Sequence, residues 1–168
     1  KRLLTGKTMI REMMIEDWDA VRKIYIQGIN KGNCTFTTEC PPYEQWDESH
    51  IKECRYVYED GGRVLGWIAL SPTSSRYAYR GVAEVSVYVD ERYQDRGIGT
   101  KLLMHMCEES EKAGFWTLYV VVLESNFASM ALHTKCGFRK IGYREKIAQD
   151  RFGNWLDTTV MERRNSIK

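Results

Sequence analysis

The segment Val-Ala-Glu-Val-Ser-Val-Tyr-Val, residues 82–89, divides its chemistry between two faces. In an extended chain Glu84, Ser86 and Tyr88 share one face, while Ala83, Val85, Val87 and Val89 share the other. The apolar face belongs to a core, and the polar face suits the wall of a cleft. A carboxylate on such a wall can take a proton from a bound group. It can equally be a solvated or ion-paired strand residue, and the segment alone leaves both readings open.

A second feature follows, the turn Gln94-Asp95-Arg96-Gly97-Ile98-Gly99-Thr100. The first N–H groups of a helix lack partners and point, with the positive end of its dipole, at one spot. Glycine at 97 and 99 lets a ligand approach the backbone, and Arg96 adds charge, so the turn suits a diphosphate or another anion. A dinucleotide fingerprint would need a further glycine where Leu102 stands, and a P-loop would need a Gly-Lys-Ser/Thr that is absent. The plainer alternative is a tight turn that binds nothing.

Composition removes several other classes. Lys plus Arg is 25 against Asp plus Glu 23, a net charge of +2 that argues against a nucleic-acid binder. The five cysteines (Cys34, Cys40, Cys54, Cys107, Cys136) form no CxxC pair and the three histidines do not cluster with them, so no metal is expected. Reduced thiols in a cytoplasmic protein are the expected state. No apolar run approaches a membrane span, and the opening KRLLTGKTM lacks the apolar stretch of a signal peptide.

The elements that must position these residues form one domain over 9–163, after an N-terminal extension at 1–8 and before a C-terminal tail at 164–168. A strand is predicted over 9–14, then a helix capped by Asp17 with Trp18, Val21, Ile24, Tyr25 and Ile29 at helical spacing, ended by Gly32. A weaker helix runs from Tyr43 to about Cys54. Strands over 56–59 and 64–70 meet across Asp60-Gly61-Gly62, which supplies the positive-φ positions of a hairpin. After the strand over 82–89, a helix from about Gly97 carries Ile98, Leu102, Leu103 and Met106 inward and closes at Gly114. The apolar run 118–122 reads as a strand buried on both faces. Asn126 caps a helix ending at Gly137, and strands around 138–147 and 155–161 flank the turn Gly153-Asn154. The order β-α-α-β-β-β-α-β-α-β-β implies an α/β (α+β) class, a mixed sheet with helices on both faces.

Taken together, these residues resemble the GNAT superfamily of acetyl-CoA-dependent N-acetyltransferases. The likeness is carried by the strand end Val87-Tyr88-Val89, the Q-x-x-G-x-G turn at Gln94 to Gly99, Asn126-Phe127-Ala128-Ser129, and Leu132-His133-Thr134-Lys135-Cys136-Gly137-Phe138. More narrowly, Thr35-Phe36, Pro41-Pro42, Tyr79-Arg80, the strand from Glu84 to Val89, His133 and Gly153-Asn154-Trp155-Leu156-Asp157 resemble the phosphinothricin and methionine sulfone (sulfoximine) acetyltransferase subgroup. The resemblance covers roughly residues 9–163.

The resemblance implies the GNAT fold, a central mixed, mostly antiparallel, splayed sheet built from the seven strands read above. The pantetheine arm of acetyl-CoA would lie along the backbone of Val87, Tyr88 and Val89. Gln94, Asp95, Arg96, Gly97, Ile98, Gly99 and Thr100 would hold its pyrophosphate, and Asn126 would reach the arm from the other side. Glu84 is then the expected base and His133 a proton-handling or substrate-orienting residue, with a backbone N–H of Val87 or Val89 stabilising the oxyanion. Phe36, Arg76, Arg80, Glu84, Val85 and Ser86 are the expected acceptor contacts, Arg80 as the grip on a carboxylate. The loop Ser74-Ser75-Arg76 differs from the Arg-Pro-aromatic pattern of the subgroup, and Arg76 is taken as its replacement. The implied activity moves acetyl from acetyl-CoA to the α-amine of a small amino-acid-like substrate by direct attack in a ternary complex, in a homodimer without nucleic acid, membrane or metal. A protein or peptide N-acetyltransferase is the first alternative, against which the Phe36 and Arg80 wall argues. A non-catalytic acyl-CoA sensor is the second, against which Glu84 together with His133 argues.

Overall fold

The computed structural model describes residues 2–166. The alternating segment becomes β4 (Val82–Val89), with the bounds its pattern predicts. Around it lie β1 (Thr8–Glu12), β2 (Tyr56–Asp60), β3 (Arg63–Pro72), β5 (Thr117–Leu123), β6 (Arg139–Gln149) and β7 (Trp155–Arg164). They form one seven-stranded sheet in the order β1-β2-β3-β4-β5-β7-β6, in which β4 and β5 are the parallel pair. The helices are α1 (Trp18–Lys31), α2 (Tyr43–Ser49), α3 (Ile98–Lys112) and α4 (Phe127–Lys135).

The alternation of the strands sends side chains to two cores. On one face Ile98, Leu102, Leu103 and Met106 of α3 pack with Ile68, Leu70, Ala83 and Val85. On the other, Val21, Ile24 and Tyr25 of α1 and Trp46 of α2 pack with Val57, Trp67 and Ala69. Helices on both faces of a mixed, mostly antiparallel sheet is the architecture expected from the sequence. Among the described residues no helix is long and apolar enough to cross a membrane.

Several local expectations change. The helix from Tyr43 stops at Ser49 rather than near Cys54 because its last carbonyls find other donors. The Ser49 hydroxyl donates to Trp46 O (3.0 Å), and the Arg55 guanidinium donates to Asp47 O (2.9 Å) and His50 O (3.1 Å). Asp17 precedes α1 as expected, but its carboxylate takes the Arg11 guanidinium through two bonds of 2.8 Å and the Met14 N–H at 2.8 Å instead of capping that helix. The run 118–122 is not buried on both faces: Leu118, Val120 and Val122 are buried while Tyr119 and Val121 are half-exposed. The expected N-terminal extension docks, since Thr5 gives its N–H (2.9 Å) and hydroxyl (2.6 Å) to Asp60 and Leu4 packs on the core. Within the expected tail, β7 runs to Arg164 and Asn165 N–H bonds Trp116 O at 2.9 Å. Lys1, Ile167 and Lys168, parts of those two expectations, lie outside the described residues.

Candidate active site

Strand β4 is held along one edge and open along much of the other. Toward β3 it is paired from Ala83 to Val89. Asp90 donates its N–H to Leu65 O at 2.8 Å, which fixes the phase of that ladder. Residues 84, 86 and 88 therefore turn their backbone groups to β3, and Val85, Val87 and Val89 turn theirs to the opposite edge. There β5 pairs only as far as Glu84↔Tyr119, after which the strands part. Residues 85–89 and 120–123 line the gap, a cavity of about 820 Å³ within the range of small-ligand sites.

At the outer end of the gap lies the glycine turn. Asp95 (φ 60) and Gly97 (φ 77) are both left-handed, and they swing the chain from β4 into α3. Lys101 is the first residue to donate to a helical carbonyl, that of Gly97 at 3.0 Å, so the amides of Ile98, Gly99 and Thr100 lead the helix unpaired within it. Those three residues border the cavity. A side chain at Gly99 would come within 3.3 Å of Leu132. Gln94 closes the turn against the strand, its amide donating to Val89 O at 2.8 Å. Of the two Val89 backbone groups turned toward the gap, the carbonyl is thus already engaged.

Glu84 stands at the apex, the last β4 residue with a β5 partner. Burial pushes its carboxyl above the usual range, and no ion pair or hydrogen bond joins it among the described residues. Its charge adds to the burial that raises the Tyr88 and Tyr119 hydroxyls. His133 comes from the far wall, on α4, and is 1% exposed. Its Nδ1 lies 2.7 Å from Ser129 O, and a carbonyl only accepts, so Nδ1 carries the proton. Burial holds the imidazole below its usual value, hence neutral, and leaves Nε2 a buried acceptor without a partner.

The gap thus gathers Glu84, Val85, Ser86, Val87, Tyr88, Val89, Gln94, Asp95, Ile98, Gly99, Thr100, Asn126, His133 and Phe36, all expected from the sequence. It does not gather the rest. Arg80 donates to Tyr77 O and lies 4.0 Å over the Tyr77 ring and 5.2 Å over that of Trp116, outside the cavity. Arg76 lies at the cap of the same short turn, also outside it. Arg96 and Gly97 stay behind the turn, with Arg96 Nε buried. Tyr88, expected along the cofactor arm, gives its backbone groups to β3 and its ring to the α1 face. Asn126 uses its side-chain oxygen to cap α4, accepting from Ser129 N–H at 3.1 Å.

Sequence reasoning missed the wall formed by the end of α1 and the loop after it: Gln27, Gly28, Lys31, Cys34 and Thr35. Lys31 is the one lysine or arginine among the described lining residues. A glycine amid the apolar stripe of α1 was the available signal. Among the described residues no three His, Cys, Asp or Glu side chains gather as a metal site.

A mixed sheet splayed beside a glycine turn makes a cleft of open backbone groups suited to an anionic ligand, and comparison with known proteins makes the class specific. Residues 13–138 match the acetyltransferase (GNAT) family. A phosphinothricin N-acetyltransferase of Alcaligenes faecalis is 30% identical over 165 residues, 92% of this chain and 81% of that protein. An L-methionine sulfoximine/L-methionine sulfone acetyltransferase of Pseudomonas paraeruginosa is 27% identical over 161 residues, 91% of this chain and 92% of that protein. The structure of a GNAT superfamily phosphinothricin acetyltransferase from Sinorhizobium meliloti in complex with acetyl-CoA superposes with a TM-score of 0.84 at 25% identity, covering 94% of this chain and 88% of that one. The chain belongs to the GNAT acetyltransferase family and is an acetyl-CoA-dependent acetyltransferase.

Proposed function

We propose that the protein acetylates the α-amine of a small amino-acid-like substrate of the methionine sulfone, methionine sulfoximine or phosphinothricin type, by direct attack. The observation that supports it most is the half-buried, unpaired Glu84 carboxyl at the apex where β4 and β5 part. The open backbone groups of β4 match the amide groups of a pantetheine arm, and the leading amides of α3 match a diphosphate. The thioester carbonyl then rests near the apex, against the open N–H group of Val87, which stabilises the oxyanion.

The acceptor enters from the α1 side, between Phe36, Ser86 and Tyr88. Glu84 takes a proton from the ammonium, directly or through water, because only the free amine has a lone pair. The amine nitrogen forms a bond to the carbonyl carbon, the carbon–sulfur bond breaks, and the second proton lost by nitrogen leaves with the thiolate as coenzyme A thiol. His133 Nε2, an acceptor in its neutral tautomer, orients a donor at the reacting centre rather than supplying a proton. With Arg76 and Arg80 outside the cavity, Lys31 is the cation that meets the acceptor's acid group. An acetyl-cysteine route has less support. Cys136 turns its thiol to Thr100 O at 4.0 Å and does not itself line the cavity, and burial raises both its thiol and that of Cys34.

The five free thiols suit a reducing compartment, and we place the reaction in the cytoplasm. A homodimer remains our proposal for its assembly. The exposed Ile141, Tyr143 and Ile147 of β6 and Trp155 of β7 are where a second copy would seat, and a monomer in sedimentation at micromolar concentration would reject it. The decisive experiment follows thiol release from acetyl-CoA with methionine sulfone, methionine sulfoximine, phosphinothricin and a short peptide. Turnover on the amino acids alone is expected. Turnover on the peptide alone would move the assignment to protein acetylation, and binding of acetyl-CoA without any turnover would make the protein a sensor.

A further inference from the structure

Gly28 stands in the third turn of α1, where glycine costs about 1 kcal/mol relative to alanine. Its backbone is ordinary right-handed helix, so no special φ demands it. Space demands it. A Cβ there would lie 2.6 Å from Tyr88 Cε1 and 2.7 Å from Cδ1. The ring cannot simply step aside, because it stacks on Trp67 at 5.0 Å and 21° and meets Tyr25 at 5.1 Å.

The same ring borders the cavity, together with Gly28, Cys34, Thr35 and Phe36. It shares a β4 face with Ser86 and Glu84, one and two strand repeats nearer the apex. Burial raises its hydroxyl, with the Tyr25 hydroxyl and the Glu84 charge adding to the effect, and Thr35 and Glu84 border the same cavity as the ring. We propose that the Tyr88 ring is the specificity-determining wall of the acceptor compartment, and that Gly28 is its positioning residue. The absent side chain lets the ring seat against α1, and this seating sets the room left for the acceptor. An alanine at 28 drives the ring toward the cavity and narrows that room without touching the glycine turn that meets the diphosphate.

This inference rests on the acetyl-transfer reading, so the test measures that reading first. Wild type, Gly28→Ala, Tyr88→Leu, the double variant and Tyr88→Phe are assayed for acceptor KM, acetyl-CoA KM, kcat and melting temperature, with methionine sulfone as acceptor. Gly28→Ala is expected to raise acceptor KM about tenfold, roughly 1.4 kcal/mol, with acetyl-CoA KM nearly unchanged. Tyr88→Leu is expected to change acceptor KM as well, and in its background the Gly28→Ala effect disappears, because the atoms that collide are gone. Tyr88→Phe keeps the ring and is expected to stay within about threefold of wild type, since a hydroxyl's bond contributes about 1 kcal/mol or less here. An equal Gly28→Ala penalty with and without the ring overturns the proposal, as does a Tyr88→Leu enzyme with unaltered acceptor KM. The second of these is readable even if Gly28→Ala alone fails to fold. A wild type that turns over no amine overturns the acetyl-transfer reading itself, and the inference with it.

Discussion

The two edges of β4 carry opposite burdens. Toward β3 the ladder is continuous from Ala83 to Val89, and the strand is welded between the α3 core and the Trp67 core. Toward β5 the ladder ends at Glu84, and the backbone groups of Val87 and Val89 face a gap. Each buried backbone group left unmated there would cost about 1–3 kcal/mol, so the open edge persists only where water or a ligand can bond to it. Under the proposed function, stability and binding thus lie on opposite sides of a single strand. The bonds that the fold leaves unmade are the ones available to an acyl carrier.

Substitutions along the two edges should separate these roles. The largest effect belongs to the apex: Glu84→Gln is expected to lower kcat about 10²–10⁴-fold, with acetyl-CoA affinity by calorimetry intact. With Glu84 as the proposed base the active form is the carboxylate, so kcat should rise with pH through a value displaced above the ordinary glutamate range, and this limb should vanish in the variant. The sign of the stability effect is opposite to that of most carboxylates. Burial favours the protonated form in the folded state, so stability falls as pH rises from the unfolded pKa through the folded one, and Glu84→Gln should melt no lower than wild type at neutral pH. A lower melting point would mean that Glu84 has a stabilising partner.

Next in size, Gly97→Ala forces a side chain onto a residue at φ 77, a strain of about 1–2 kcal/mol. If the turn relaxes away from that conformation, acetyl-CoA KM should rise about tenfold while acceptor KM moves less. On the welded edge, Ile68→Val removes a methylene from a side chain 1% exposed opposite Val87. It should cost about 1 kcal/mol in urea unfolding and leave both KM values alone. The smallest effect is expected from Arg80→Gln, whose guanidinium lies over Tyr77 and Trp116. Acceptor KM should stay within about twofold, as for surface changes worth ~0.5 kcal/mol, and a tenfold rise would return Arg80 to the acceptor site.

Much of this arrangement was legible from residue order. Period-two alternation placed the bounds of β4 and its polar face, and two glycines before an apolar helix marked the turn. Where sequence reasoning failed, it failed at relations between elements. The run 118–122 looked doubly buried because apolar residues line a gap as readily as a core, and periodicity does not tell the two apart. Arg80 looked like a substrate grip because guanidinium suits carboxylate, yet Tyr77 and Trp116 take its faces first. The wall from Gln27 to Thr35 was missed because its one signal, the bare glycine in α1, does not say which strand it will meet.

The amino-acid order by itself determined most of the elements that form, the alternating faces of β4, and where a glycine turn leads into α3, because φ preferences and side-chain period are local properties. Only the packed molecule decided that β4 and β5 separate beyond Glu84, that His133 is buried with Nε2 unpartnered, and that Tyr88 seats on Gly28. Those outcomes depend on contacts between residues far apart in the chain, settled by which surfaces exclude water together rather than by any one segment's own pattern.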